Sequence, residues 1–130
     1  MYVYSSDYES EKYYPAAPVI KIGVAKSGQK ERSTQIAALI DSGADATMLP
    51  VDLLQVVNAR YSMTRQMRGV GDRPIAVEMY LVTLFIGEFA FPGIEVIAAA
   101  ENSEALVGRD VLNQMVVTLN GLANVVEMSQ

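Results

Sequence analysis

Leu39-Ile40-Asp41-Ser42-Gly43-Ala44-Asp45-Ala46-Thr47 is the stretch whose reading decides the fold. An apolar run, Ile36-Ala37-Ala38-Leu39-Ile40, leads straight into a carboxylate, a hydroxyl and a glycine. Packing alone gives no reason to end a strand this way. An Asp at such a place commonly caps a turn through its own side chain, and Asp41 taken in isolation reads as that. A second stretch, Ala105-Leu106-Val107-Gly108-Arg109-Asp110, repeats the theme of an apolar run entering a glycine loop. The arrangement makes chemical sense if two carboxylates face one another across tight backbone loops and share a proton.

The composition narrows the chemistry further. A chain of 130 residues suits one domain with a modest core, and 51% hydrophobic residues suit a globular protein rather than a disordered one. The net charge is −5 with no long basic run, so no nucleic-acid partner is expected. The apolar region 79–100 is broken by Gly87, Glu88, Pro92, Gly93 and Glu95, so no membrane span is expected. Residues 1–10 have neither a basic start nor an apolar stretch, and do not read as a signal peptide. The chain has no Cys and no His. That excludes thiol nucleophiles, Ser-His-Asp triads, histidine bases and the usual zinc sites. It also suits a reducing cytosol, and a cytoplasmic location is expected. What remains for catalysis is carboxylates, Lys, Tyr, Ser and Thr, or a hard cation on oxygen ligands. A cation on Asp41, Asp45 and Asp110 would be opposed by the charge of Arg109, so no metal and no cofactor are expected.

Along the chain, residues 1–17 are rich in Tyr, Ser and Glu without steady period and read as a flexible N-terminal arm. Five tyrosines there, Tyr2, Tyr4, Tyr8, Tyr13 and Tyr14, fit a sticky tail better than a recognition element. Residues 18–25 and 33–40 read as two strands joined by a turn at Ser27-Gly28-Gln29-Lys30. Pro50 opens a short helical turn, and residues 63–68 form a strand. Gly69-Val70-Gly71-Asp72-Arg73-Pro74 is a strong turn cluster. Residues 75–86 read as a strand with Val77, Met79, Leu81 and Thr83 on one face, and 94–99 as another. A short helix is expected over 111–115, then a hairpin around Asn120-Gly121. Many short strands with frequent turns and little helix indicate an all-β, barrel-like domain.

The two glycine stretches together resemble the two halves of the retropepsin-type aspartic protease signature. The resemblance spans roughly residues 18–128 and leaves out the arm, which makes 1–17 an arm and 18–130 the protease-like domain. It implies the acid protease fold, a closed β-barrel with one short C-terminal helix. It also implies an aspartic endopeptidase with Asp41 as the catalytic residue. Two carboxylates about 3 Å apart hold one proton between them, so one takes a proton from a water while the other donates to the scissile carbonyl. The chain carries one such Asp box, so the expected active species is a homodimer in which each chain supplies Asp41. The partners expected are therefore a second copy and a peptide or protein substrate.

The resemblance assigns further residues. Ser42 offers a hydroxyl to the opposite loop, Gly43 lets backbone approach the substrate, and Ala44 completes the active-site loop. Asp45 and Arg109 form an ion pair that pins this loop to the segment after Gly108, and the guanidinium fork suits a carboxylate. Asp110 carries little weight. Gly69, Val70, Gly71 and Asp72 fall where the family has its flap. A plain hairpin turn explains those two glycines equally well, and Asp72-Arg73-Pro74 is more charged than the usual viral tip. The chain runs on past Asn120-Gly121 to Val125-Val126-Glu127-Met128, and it starts with Met1. Both features resemble stand-alone cellular and bacterial members more than viral ones. The competing functional reading is a retropepsin-fold binding or dimerisation module with little or no proteolytic activity.

Overall fold

Apolar residues at every second position produce the first two barrel strands. β2 (Val19–Lys26) and β3 (Thr34–Ile40) pair antiparallel, Val19 opposite Leu39 and Val24 opposite Thr34. Ile20, Ile22 and Val24 on one strand and Ala38 and Ile40 on the other are buried. These positions come from a computed structural model that describes residues 2–29 and 33–130. The expected turn at Ser27-Gly28-Gln29-Lys30 ends on Lys30, outside the described residues.

The remaining elements are β4 (Met48–Pro50), α1 (Val51–Val56), β5 (Arg60–Arg68), a 3-10 turn at Val70–Asp72, β6 (Pro74–Ile86), β7 (Phe89–Ala99), β8 (Ala105–Val107), α2 (Arg109–Leu112), β9 (Val116–Asn120) and β10 (Val125–Ser129). Strands run in the order β2-β3-β8-β4-β7-β6, and β6 returns to β2 with Gly23 opposite Phe85 and Lys26 opposite Val82. This closes a six-stranded barrel, which leaves no open edge in the ring. β5 hangs outside the ring on β6, so the β5–β6 pair projects as a long hairpin. Phe91, Leu84, Ile86, Val96 and Leu54 fill the barrel interior. Removing a ring such as that of Phe91 costs about 3–5 kcal/mol through lost burial and the cavity left behind.

β6 keeps the alternation expected of it: Val77, Met79, Leu81 and Thr83 share one face, with Met79 and Thr83 buried, while Val82, Leu84 and Ile86 on the other face are buried in the barrel. β7 carries an extra residue at Pro92-Gly93, where the register shifts from Val82 opposite Ile94 to Leu84 opposite Phe91, and its buried positions pass from Phe89 and Phe91 to Ile94 and Val96.

A second, three-stranded sheet has the order β1-β10-β9, with β1 spanning Val3–Asp7. Val126 and Met128 of β10 are fully buried and join it to the core. The segment expected as a structureless arm thus contains a strand. Tyr4, Ser6 and Tyr8 turn inward while Val3, Ser5 and Asp7 stay exposed, and the two serines hide the period. The Tyr2 ring meets the Phe89 ring edge-on at 4.9 Å. α2 is a single turn over Arg109–Leu112 and begins earlier than the expected 111–115. The β9–β10 hairpin closes through residues 121–124, where Asn124 has φ 55° and the Asn120 Oδ1 accepts from the Ala123 N–H at 3.0 Å.

Candidate active site

β3 and β8 are parallel neighbours, with Ala38, Leu39 and Ile40 opposite Ala105, Leu106 and Val107. Both strands therefore end at one level, and the loops that follow emerge side by side. The Asp41 N–H donates to the Val107 carbonyl at 3.0 Å, which extends the ladder to the carboxylate-bearing residue. The Ala44 N–H donates back to the Asp41 carbonyl at 3.2 Å, and the Arg109 N–H donates to the Ala44 carbonyl at 2.9 Å. The loops touch most closely at Gly108. A Cβ there would stand 2.7 Å from the Ala46 carbonyl carbon and 3.0 Å from the Ala44 oxygen, so glycine is required by the backbone opposite.

The Asp41 side chain is half-buried, and Ser42 and Gly43 beside it are exposed. Asp41 Oδ1 accepts the Gly43 N–H at 2.9 Å, which turns the carboxylate toward its own loop. A Cβ on Gly43 would press on the same oxygen at 3.2 Å. Arg109 donates from Nη1 to the Ser42 carbonyl at 2.7 Å and from Nη2 to the Asp45 carboxylate in an ion pair. Asp45 is well exposed, so the Coulomb gain of that pair is modest. Its contribution is geometric: one planar cation holds the loop at two points.

A third tie was not anticipated from the sequence. Asp110 accepts the Thr47 N–H at 2.9 Å and the Thr47 hydroxyl at 2.7 Å. The Thr47 oxygen in turn accepts the Gly108 N–H at 3.1 Å. Thr47 is fully buried, so its hydroxyl must be paired inside the protein. A lone hydroxyl between Ala46 and Met48-Leu49-Pro50 is the sequence signal that points to it. Asp110 also accepts the Val111 N–H at 2.9 Å. Its oxygens are thus engaged, as is one oxygen of Asp45. Among the described residues no cluster of three or more His, Cys, Asp or Glu is placed to hold a metal ion.

The structure therefore brings Asp41, Ser42, Gly43, Ala44, Asp45, Gly108 and Arg109 together in one floor. Gly69, Val70, Gly71 and Asp72 lie apart, at the tip of the β5–β6 hairpin. The Gly69 N–H donates to the Arg73 carbonyl at 2.8 Å. Gly71 and Asp72 take left-handed φ angles of 77° and 59°, and the glycine meets no neighbour that would need to be avoided. Arg68 and Asp72 pair at 3.8 Å across the tip, both almost fully exposed. Between hairpin and floor lies a cleft of about 420 Å³. Arg65 and Met67 line it from β5, Asp45, Ala46 and Asp110 from the floor, and Met79 and Ile94 from the barrel wall.

A closed barrel with paired glycine loops and an overhanging hairpin defines the retropepsin class of aspartic protease folds. Residues 30–114 match the family model described as "gag-polyprotein putative aspartyl protease", and the chain belongs to that family. No curated protein matches its sequence. Among solved structures it is similar to a retropepsin-like aspartic protease from Rickettsia conorii, with a TM-score of 0.64 and 12% identity over 99% of this chain and 95% of that one. It is also similar to EIAV protease complexed with the inhibitor HBY-793, with a TM-score of 0.60 and 20% identity over 84% of this chain and 93% of that one. At these identities the likeness is one of fold. No helix of the described residues is long and apolar enough to cross a membrane.

Proposed function

We propose that the protein is an aspartic endopeptidase, active as a homodimer in which Asp41 of each copy forms the catalytic dyad. The observation that carries this reading is the half-buried Asp41 carboxylate, present once per chain on a loop tied down by Arg109. A single carboxylate cannot both accept a proton from water and donate one to the substrate. A second copy supplies the missing partner. β9 suits that role in assembly. It is an edge strand with no charge or proline to blunt it, and Val116 and Leu119 on it are exposed.

In this scheme the ionised Asp41 removes a proton from a water, whose oxygen bonds to the scissile carbonyl carbon. The protonated Asp41 of the second copy gives its proton to the carbonyl oxygen, and a gem-diol results. The C–N bond then breaks as the nitrogen takes a proton from one carboxyl and a diol hydroxyl returns a proton to the other. The products are a carboxylic acid and an amine, and the dyad ends with one proton as it began. The substrate lies extended between floor and hairpin, where backbone groups of the glycine loops are available to it.

One shared proton predicts an acidic optimum. Asp41→Asn is expected to abolish hydrolysis of apolar peptides across acidic to neutral pH while the protein stays dimeric by sedimentation. Wild-type turnover by that variant would overturn the mechanism. A wild-type protein that binds a statine-centred peptide without ever cleaving peptides would point to a binding module instead.

A further inference from the structure

We infer that the N-terminal segment around Lys12 and Tyr13 forms one wall of the substrate groove and selects an apolar side chain close to the bond that is cut. The inference rests on the proteolytic reading above and adds a recognition element to it. Residues 9–13 lie outside the part of the chain that matches the family, so the family does not prescribe this wall.

The starting point is the face of β3. Ala38 and Ile40 are buried in the barrel, so by strand alternation Ala37 and Leu39 point the other way. Asp41 is the next residue in that alternation, and its N–H continues the β3–β8 ladder. Leu39 and the catalytic carboxylate therefore share a face, separated by about 7 Å of strand. An extended peptide advances at a similar rise per residue, so Leu39 lies one or two substrate residues from the cut bond.

That face is not bare. A groove of about 410 Å³ lies against it, and Ala37 and Leu39 together with the neighbouring Val19 are among its apolar lining. Tyr13 and Lys12 stand on one side of the groove and the 102–104 turn before β8 on the other. Apolar side chains left half-exposed in a groove that shares Leu39 with the face bearing Asp41 fit an apolar substrate side chain.

The wall is built rather than draped. Glu9 and Ala17 exchange two backbone hydrogen bonds, at 2.8 and 3.0 Å, which close residues 10–16 into a loop. The Tyr8 N–H is held by the Asn124 carbonyl at 2.8 Å. Inside the loop the Glu9 carboxylate accepts the Glu11 N–H at 2.7 Å and the Lys12 N–H at 3.4 Å, which fixes the turn that presents Tyr13. Those same bonds, that from Glu11 first, hold the Glu9 carboxyl below its ordinary value of 4.5. Tyr13 is half-buried against the groove, whereas Tyr14 beside it is fully exposed.

The test compares statine-centred heptapeptides carrying leucine or alanine at each position flanking the statine. Their affinities are measured for the wild-type, Tyr13→Ala, Ala37→Glu and Tyr14→Ala proteins, and hydrolysis of the matching peptides is followed in parallel. Wild-type protein is expected to prefer leucine over alanine about tenfold at one or two positions on each side of the centre, because the two-fold axis of the proposed homodimer sets one such groove on either side of the cut bond. Tyr13→Ala and Ala37→Glu should erase that preference, and Tyr14→Ala should keep it. Ala37 is exposed, so its substitution probes the groove even if Tyr13→Ala impairs folding. If the wild-type protein cleaves peptides and the three variants keep its preference, the wall is wrong and the protease reading stands. If the wild-type protein neither binds nor cleaves any of them, both readings fall.

Discussion

The floor and the hairpin above it are built on opposite principles. In the floor, backbone and side chains are interlocked: Arg109 bridges Ser42 and Asp45, Asp110 grips buried Thr47, and Gly108 fits against Ala46 with no room for a Cβ. At the hairpin tip, Gly71 has open space around it and the Arg68 pair with Asp72 stands in solvent. The contrast teaches where precision is needed. In the proposed mechanism a shared proton demands carboxylates placed to a fraction of an ångström, while a hairpin that covers the substrate would have to open.

Substitutions at the two regions should therefore differ in kind. Gly108→Ala is expected to be the most damaging, costing about 3 kcal/mol in chemical unfolding, because a Cβ must displace backbone rather than a side chain. Asp110→Ala should cost about 2 kcal/mol by the same measurement, since it leaves the buried Thr47 hydroxyl and N–H without their acceptor. A loss well under 1 kcal/mol for both would show that the floor is not interlocked. Arg109→Lys should change stability by less than about 1 kcal/mol, because the pair is exposed, yet lower kcat/KM about tenfold by loosening the loop. Asp72→Ala, at the tip, should alter stability by no more than about 0.5 kcal/mol.

The N-terminal loop offers a smaller, pH-dependent test. The Glu9 carboxyl is lowered, so its contribution to the 10–16 loop is fully present above pH 4.5 and fades as the pH falls through the lowered value. Protease nicking of residues 10–16 should accordingly rise at the acidic end in the wild-type protein. Glu9→Gln should show the raised rate at neutral pH as well.

Most of the floor was legible because its residues act near where they stand in sequence. A hydroxyl and a glycine after a strand-end Asp, and an arginine after a second glycine, carry their meaning in a few positions. The closed β-barrel was legible for a related reason, since β2 and β3 alternate plainly in Ile20, Ile22, Val24, Ala38 and Ile40. Asp110 was not, because its partner Thr47 lies 63 residues back and one Asp in a helical turn looks like any other. The strand at Val3–Asp7 was hidden by serines that break the hydrophobic period, and its evidence lies in β10, at the far end of the chain. The face switch in β7, from Phe89 and Phe91 to Ile94 and Val96, was hidden because the extra residue at Pro92-Gly93 shows only against the register of β6.

The central claim is that catalysis needs one Asp41 from each of two copies, and mixing tests it most directly. Wild-type and Asp41→Asn chains are unfolded together in varied proportion, refolded, and assayed at constant total protein. A shared dyad predicts activity falling with the square of the wild-type fraction, to about one quarter at an equal mixture. Activity falling in direct proportion, to about one half, would contradict the account.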